Sequence, residues 1–134
     1  THMETPNPYQ AYQQNSVMTA SPGELTSMLY NGCLKFIGKA KVAMESNNIE
    51  ERNINIQKAK NIVRELMVTL NMDYEVSKNM LSIYEYMNAR LTEANIKSDI
   101  AALVEVEDLM IQFRDTWKQV IQMNRQKQFQ GGSA

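Results

Sequence analysis

Four runs of apolar residues at steps of three and four, each opened by a helix-start signal and separated by only a few residues, most constrain what this chain can fold into. Ser21-Pro22-Gly23-Glu24 puts Ser at an N-cap, Pro at the first helical position and Glu three residues after the cap, so that each side chain satisfies an orphan N–H. The first helix is predicted from there to about Glu45, with Leu25, Met28, Leu29, Gly32, Phe36, Ala40 and Ala43 facing inward. Ser46-Asn47-Asn48 breaks it. Asn48 ahead of Glu50 and Glu51 opens the second, which runs to about Asn71 with Ile56, Ala59, Val63, Leu66 and Leu70 inside. Asp73 opens the third, whose stripe is Val76, Met80, Ile83, Tyr84, Met87, Leu91 and Ala94, and Asn95 is read as its left-handed stop. Ser98 or Asp99 opens the fourth, where Leu103, Val106, Met110, Phe113, Trp117 and Val120 form a seam for near-parallel packing. Long helices joined by short connections must reverse direction at each turn. The expectation is an all-α, antiparallel up-down-up-down four-helix bundle over residues 21–125. Residues 4–20 form an N-terminal docking segment, and residues 126–134 a flexible polar tail.

Composition then removes most chemistry. The single Cys excludes an internal disulfide and any multi-Cys zinc site. The single His lies in Thr1-His2-Met3, which reads as a cloning scar over residues 1–3. Without it, triad catalysis, His-based zinc and the paired Glu-x-x-His of a di-iron bundle are all out of reach. No catalytic residue, metal or cofactor is expected, and the chain is read as not an enzyme. A net charge of −1 gives no surplus of cations for nucleic acid or anionic lipid. No apolar run approaches a membrane span and no secretory leader is visible, so neither nucleic acid nor membrane insertion is expected, and the cytoplasm is the expected compartment.

What remains is apolar surface beyond the needs of one core. On the first helix Tyr30, Cys33, Leu34, Ile37 and Met44 fall roughly 70–170° from the centre of the predicted stripe. Ile54, Val68 and Met72 on the second helix, Tyr74 and Leu81 around the third, and Ile100, Val104 and Ile111 on the fourth are similarly placed. Contiguous apolar stripes along helical grooves suit a partner segment laid into them. Ten methionines, whose flexible thioethers repack around differing ligands, point the same way. Asn95, Arg90 and Asp115 are candidate polar anchors for a partner's backbone. Tyr9 and Tyr12, three apart, could share one face of a turn and act as a lid over the bundle; plain packing explains them as well.

Asn7-Pro8-Tyr9-Gln10-Ala11-Tyr12, followed by Thr19-Ala20-Ser21-Pro22-Gly23-Glu24-Leu25 and Met28-Leu29-Tyr30-Asn31-Gly32, resembles the start of the flagellin export chaperones, the FliS family. Tyr84-Glu85-Tyr86-Met87 with Arg90-Leu91 and Ala94-Asn95, and Phe113-Arg114-Asp115-Thr116-Trp117, resemble that family's later motifs in the same order. The resemblance implies a chaperone of the bacterial cytosol that binds the disordered C-terminal segment of flagellin in apolar grooves, prevents premature polymerisation and delivers it for export. It also implies contact with the export apparatus and with flagellar regulatory proteins. Tyr9 and Tyr12 carry over as lid or binding residues. The groove candidates are Tyr30, Leu34, Ile37, Ile54, Val68, Met72, Leu81, Asn95, Val104 and Ile111. The alternative from another class is a structural module that pairs its apolar stripes with a second copy or another amphipathic helix.

Overall fold

The first three helices of the chain end where a residue enters the left-handed region or a side chain bonds the last turn's carbonyls. The structure, a computed structural model, describes residues 22–132. Its helices are α1 (Pro22–Glu45), α2 (Ile49–Val68), α3 (Glu75–Lys97) and α4 (Ile100–Gly132). The cap Ser21, the segment 4–20 with Tyr9 and Tyr12, and residues 1–3 lie outside the described residues.

α1 stops at a Schellman turn: Asn47 has φ 55°, its N–H bonds Met44 O at 3.2 Å and the Asn48 N–H bonds Ala43 O at 2.8 Å. Asn48 then caps α2 as expected, its Oδ1 accepting from the Glu51 N–H at 3.1 Å. The predicted left-handed stop at Asn95 is corrected to Ser98, at φ 52°. There the chain reverses within two residues, and Asp99 Oδ1 accepts from the Ala101 N–H at 3.0 Å to start α4. Asn95 remains helical and spends its amide on α2, as described below.

Two further boundaries differ from expectation. α2 ends at Val68 rather than near Asn71, and the six residues 69–74 turn around Asn71. Asn71 Oδ1 accepts from the Asp73 N–H at 3.0 Å, and Asn71 O accepts from Ser77 Oγ at 2.6 Å. That turn holds Asp73 one position too early to cap α3, and Tyr74 occupies the cap without a side-chain bond. α4 continues through the polar stretch expected as a tail from residue 126. Gln, Arg and Lys are good helix formers, and nothing breaks the run before Gly131-Gly132.

Polar contacts between the helices record their directions. Near the start of α1, Gly23 O accepts from Trp117 Nε1 at 2.7 Å, while Lys41, far along α1, meets Glu107 early in α4. Arg52 reaches Asn95 and Asn88 reaches Lys60 O, so α2 and α3 also run oppositely. α1 packs on α2 and α4, and α3 on α2 and α4. This is an antiparallel four-helix bundle. Its core comprises Leu29, Tyr30, Cys33, Phe36, Ile37 and Ala40 of α1, Ile56, Ala59, Ile62, Val63 and Leu66 of α2, Tyr84, Met87, Leu91 and Ala94 of α3, and Ala102, Leu103, Val106 and Met110 of α4.

Candidate functional site

The bundle's middle is partly polar. Tyr30 and Tyr84 meet across it from diagonal helices, hydroxyl to hydroxyl at 2.9 Å, and both rings lie against Phe113. Burial pushes both phenols upward in pKa, the shared hydrogen bond offsetting part of this at Tyr30 and adding to it at Tyr84. Beside them Cys33 is fully buried, its Sγ 3.8 Å from Ala59 O, and desolvation pushes its thiol up to about 12. A thiol held protonated and shielded in this way is no nucleophile. Among the described residues no three His, Cys, Asp or Glu side chains stand together as metal ligands.

These positions correct part of the sequence reading. Tyr30 (1% exposed), Ile37 (0%) and Cys33 were expected on a surplus stripe and lie in the core. α1 is rotated about its axis by roughly 60° from the predicted stripe, which turns Tyr30 toward Tyr84 of α3 and Cys33 toward Ala59 of α2. No groove ligand reaches Tyr30 or Ile37 without opening the bundle. Val76 and Ile83, expected inside, face outward.

The other candidates separate into three places. In the seam between α1 and α4, Lys41 and Glu107 form a half-buried ion pair at 2.9 Å. Leu34 lies two turns before Lys41, and Val104 and Ile111 lie one turn either side of Glu107, so all share that seam. Leu34 packs on the core with part of its surface open; Ile111 is half-buried and Val104 is 37% exposed. Along the seam between α2 and α3, Leu81, Asn88 and Asn95 recur at seven-residue intervals. Asn95 Oδ1 accepts from Arg52 Nε at 3.0 Å and its Nδ2 donates to Asn53 Oδ1 at 2.8 Å, so the amide is engaged within the fold. Asn88 Nδ2 donates to Lys60 O, while its buried Oδ1 has no partner. Ile54, on the α1 side of α2, is exposed, as are Val68 (83%) and Met72 at the end of α2 and in the turn after it.

α3 and α4 are joined outside the core by a charged network. Arg90 bonds Glu93 and Glu105, Tyr86 Oη donates to Glu105 at 2.7 Å, and Lys97 bonds Glu93. Hydrogen bonds from Tyr86 and then Arg90 hold Glu105 below the usual carboxylate range, and those from Lys97 and then Arg90 do so for Glu93. Sequence reading also missed Val42, Ile49 and Ile96, which are among the most exposed apolar residues of the bundle. Val42 and Ile96 lie on the side of their helices away from the inward stripe, a signal that was available, whereas Ile49 continues the α2 stripe of Ile56 and Val63 and is exposed because it opens the helix.

The described residues offer grooves, polar seams and exposed apolar side chains, which suits a binding protein. A family model described as "Flagellar protein FliS" matches residues 5–124. The chain belongs to the FliS family. The flagellar secretion chaperone FliS of Bacillus subtilis (strain 168) is 54% identical over 130 residues, covering 97% of this chain and 98% of that protein. That of Escherichia coli (strain K12) is 37% identical over 117 residues, covering 82% and 86%. A solved structure titled "Crystal structure of flagellar chaperone from bacteria" shares the fold, with a TM-score of 0.71 at 17% identity over 85% of this chain and 94% of that one. Membership of the FliS family makes the chain a flagellar secretion chaperone and not an enzyme. No helix among the described residues is long and apolar enough to cross a membrane.

Proposed function

We propose that the export client of this chaperone is flagellin, and that the bundle binds flagellin's disordered C-terminal segment, keeps it from polymerising early in the cytoplasm and presents it to the export apparatus. The observation that carries this reading is where the exposed apolar residues lie. Leu34 leaves part of its surface open on α1, and Ile54 and Val68 on α2, Ile83, Tyr86 and Ile96 on α3, and Ile100, Val104 and Met123 on α4 are exposed. A rigid partner covers one face. A chain that is unfolded until it binds can follow apolar side chains around all four helices, and it needs that area to offset its own ordering entropy. Leu34, Val104 and Ile111 in the α1–α4 seam, Leu81 between α2 and α3, and Ile54, Val68 and Met72 are the proposed contacts. Tyr9 and Tyr12 are proposed as lid or binding residues, through the resemblance alone.

The test is titration of the full chain with the C-terminal segment of flagellin from the same organism. Val104→Asp and Val68→Asp place a charge at exposed positions, so the fold survives them. Each is expected to weaken binding by about five- to thirty-fold, corresponding to roughly 1–2 kcal/mol of lost apolar contact, with the helical circular dichroism unchanged. Parental affinity in both variants would rule out these surfaces as the client site.

A further inference from the structure

The outer face of α1 beside α2 gathers three lysines around one aromatic ring. The ammonium groups of Lys35, Lys39 and Lys58 lie 5.7, 5.8 and 5.2 Å from the ring centroid of Phe36. No described carboxylate pairs with any of these three lysines, and what sets them apart from other cations without such a pair, such as Lys60, Lys78 and Lys118, is that they converge on one ring. Three like charges around one ring repel each other, and attraction to the ring offsets only part of this. In a chain of net charge −1, they make a local positive field, and no described carboxylate is ion-paired to it.

A groove of about 540 Å³ leads from Lys35 and Lys39 toward the α1–α2 turn, with Gly38 and Val42 in its wall and Glu51 as the single acidic residue lining it. Val42 is 65% exposed. Gly38 sits in the middle of α1, where Ala is the better helix former, and a Cβ added there would meet nothing within 4 Å. Internal packing therefore gives no reason for the glycine. Close approach of another chain to the helix backbone does.

We propose that this face is a second docking surface, apart from the α1–α4 seam, for an acidic amphipathic segment of a partner protein. Carboxylates one helical turn apart meet Lys35 and Lys39, an apolar side chain rests on Val42, and the segment's backbone lies against Gly38. Lys58 adds to the field from α2. A protein segment fits better than nucleic acid, because the groove is short and partly apolar and the chain as a whole lacks the basic surplus that a phosphate backbone requires.

The test uses the full chain labelled with ¹⁵N and two synthetic helical peptides. One carries glutamates at i and i+4 beside a leucine stripe; the other has glutamine in their place. The acidic peptide is expected to shift the amides of Gly38, Lys39 and Val42, and its affinity to fall as salt is added. The glutamine peptide, and the acidic peptide with a Lys35→Glu/Lys39→Glu variant, should each bind about ten-fold more weakly at low salt. Gly38→Ala should raise the melting temperature yet weaken peptide binding, opposite signs that a merely structural glycine would not give. Shifts scattered away from α1, equal binding of the glutamine peptide, unchanged binding by Gly38→Ala, or tighter binding of a DNA duplex at the same amides would each overturn the proposal.

Discussion

Two hydroxyls facing one another in an apolar core form an arrangement in which each needs the other. Tyr30 and Tyr84 are each about 1% exposed, and their mutual hydrogen bond is 2.9 Å long. Changing either to Phe leaves the other hydroxyl buried without this partner and is expected to cost about 1–3 kcal/mol in urea unfolding. Changing both removes the unmet group, so the double variant should lose less than the sum of the singles, by about 1 kcal/mol; strict additivity would show that the pair contributes nothing as a pair. Alkaline pH probes the same region. Cys33 holds its proton to about 12 when folded, whereas an exposed thiol ionises near its ordinary value of 9.0. Between these values the unfolded chain binds fewer protons than the folded one, so stability is complete below 9 and falls as pH rises; the raised phenols add the same sign above about 10. The urea midpoint should therefore drop from pH 9 upward, and Cys33→Ala should delay the onset to about pH 10. A variant whose drop starts where the parent's does would contradict the assignment to Cys33. Tyr84 was legible as core from its place on the α3 stripe, but Tyr30 and Cys33 were not. α1 is apolar around more than half its circumference, so spacing alone leaves its rotation open. The diagonal contact with Tyr84 and the stacking on Phe113 set that rotation, and both are tertiary.

The elements themselves were easier to read, because helix ends are local. Asn48 is placed to cap α2 by its position before two glutamates, and its Oδ1 does so. The α3–α4 turn was misread because Asn95, a residue that tolerates the left-handed region, carries two hydrogen bonds to α2 instead. The reversal then falls on Ser98, at φ 52°, a conformation unfavourable for a residue with a Cβ by roughly 1–2 kcal/mol. Ser98→Gly relieves that strain while loosening the unfolded chain. The net expectation is a gain of about 0.5–1 kcal/mol in thermal unfolding, with no change in client binding. A loss of stability would mean that the turn depends on the Ser side chain. The longer α2–α3 turn was less legible, since Asn71 organises it through its side chain and its carbonyl, bonds that no spacing rule anticipates.

At the scale of the whole molecule, the question is why a bundle this short leaves apolar side chains on every helix. A symmetric dimer would gather them on one self-complementary face of about 800 Å² per partner. Here Val42, Val68, Ile96 and Val104 belong to four different helices, and Val68 and Ile96, at the C-terminal ends of the antiparallel α2 and α3, lie near opposite ends of the bundle. One flat interface cannot cover them. The chain is therefore expected to sediment as a monomer of 15.4 kDa whose mass does not change with concentration. Adding the flagellin segment should give a one-to-one complex. If that segment follows the apolar side chains around the bundle, it buries on the order of 1,000–3,000 Å² and orders as it binds. Apolar burial lowers heat capacity and polar burial raises it, which for such an area gives a binding ΔCp of roughly −0.2 to −0.5 kcal/mol/K by calorimetry at several temperatures. A value near zero with intact affinity would mean that a small, preformed contact holds the client, and the wrapping geometry would fail. A stable dimer whose mass is unaffected by the flagellin segment would instead assign the apolar stripes to self-assembly, because the same side chains cannot serve both partners at once.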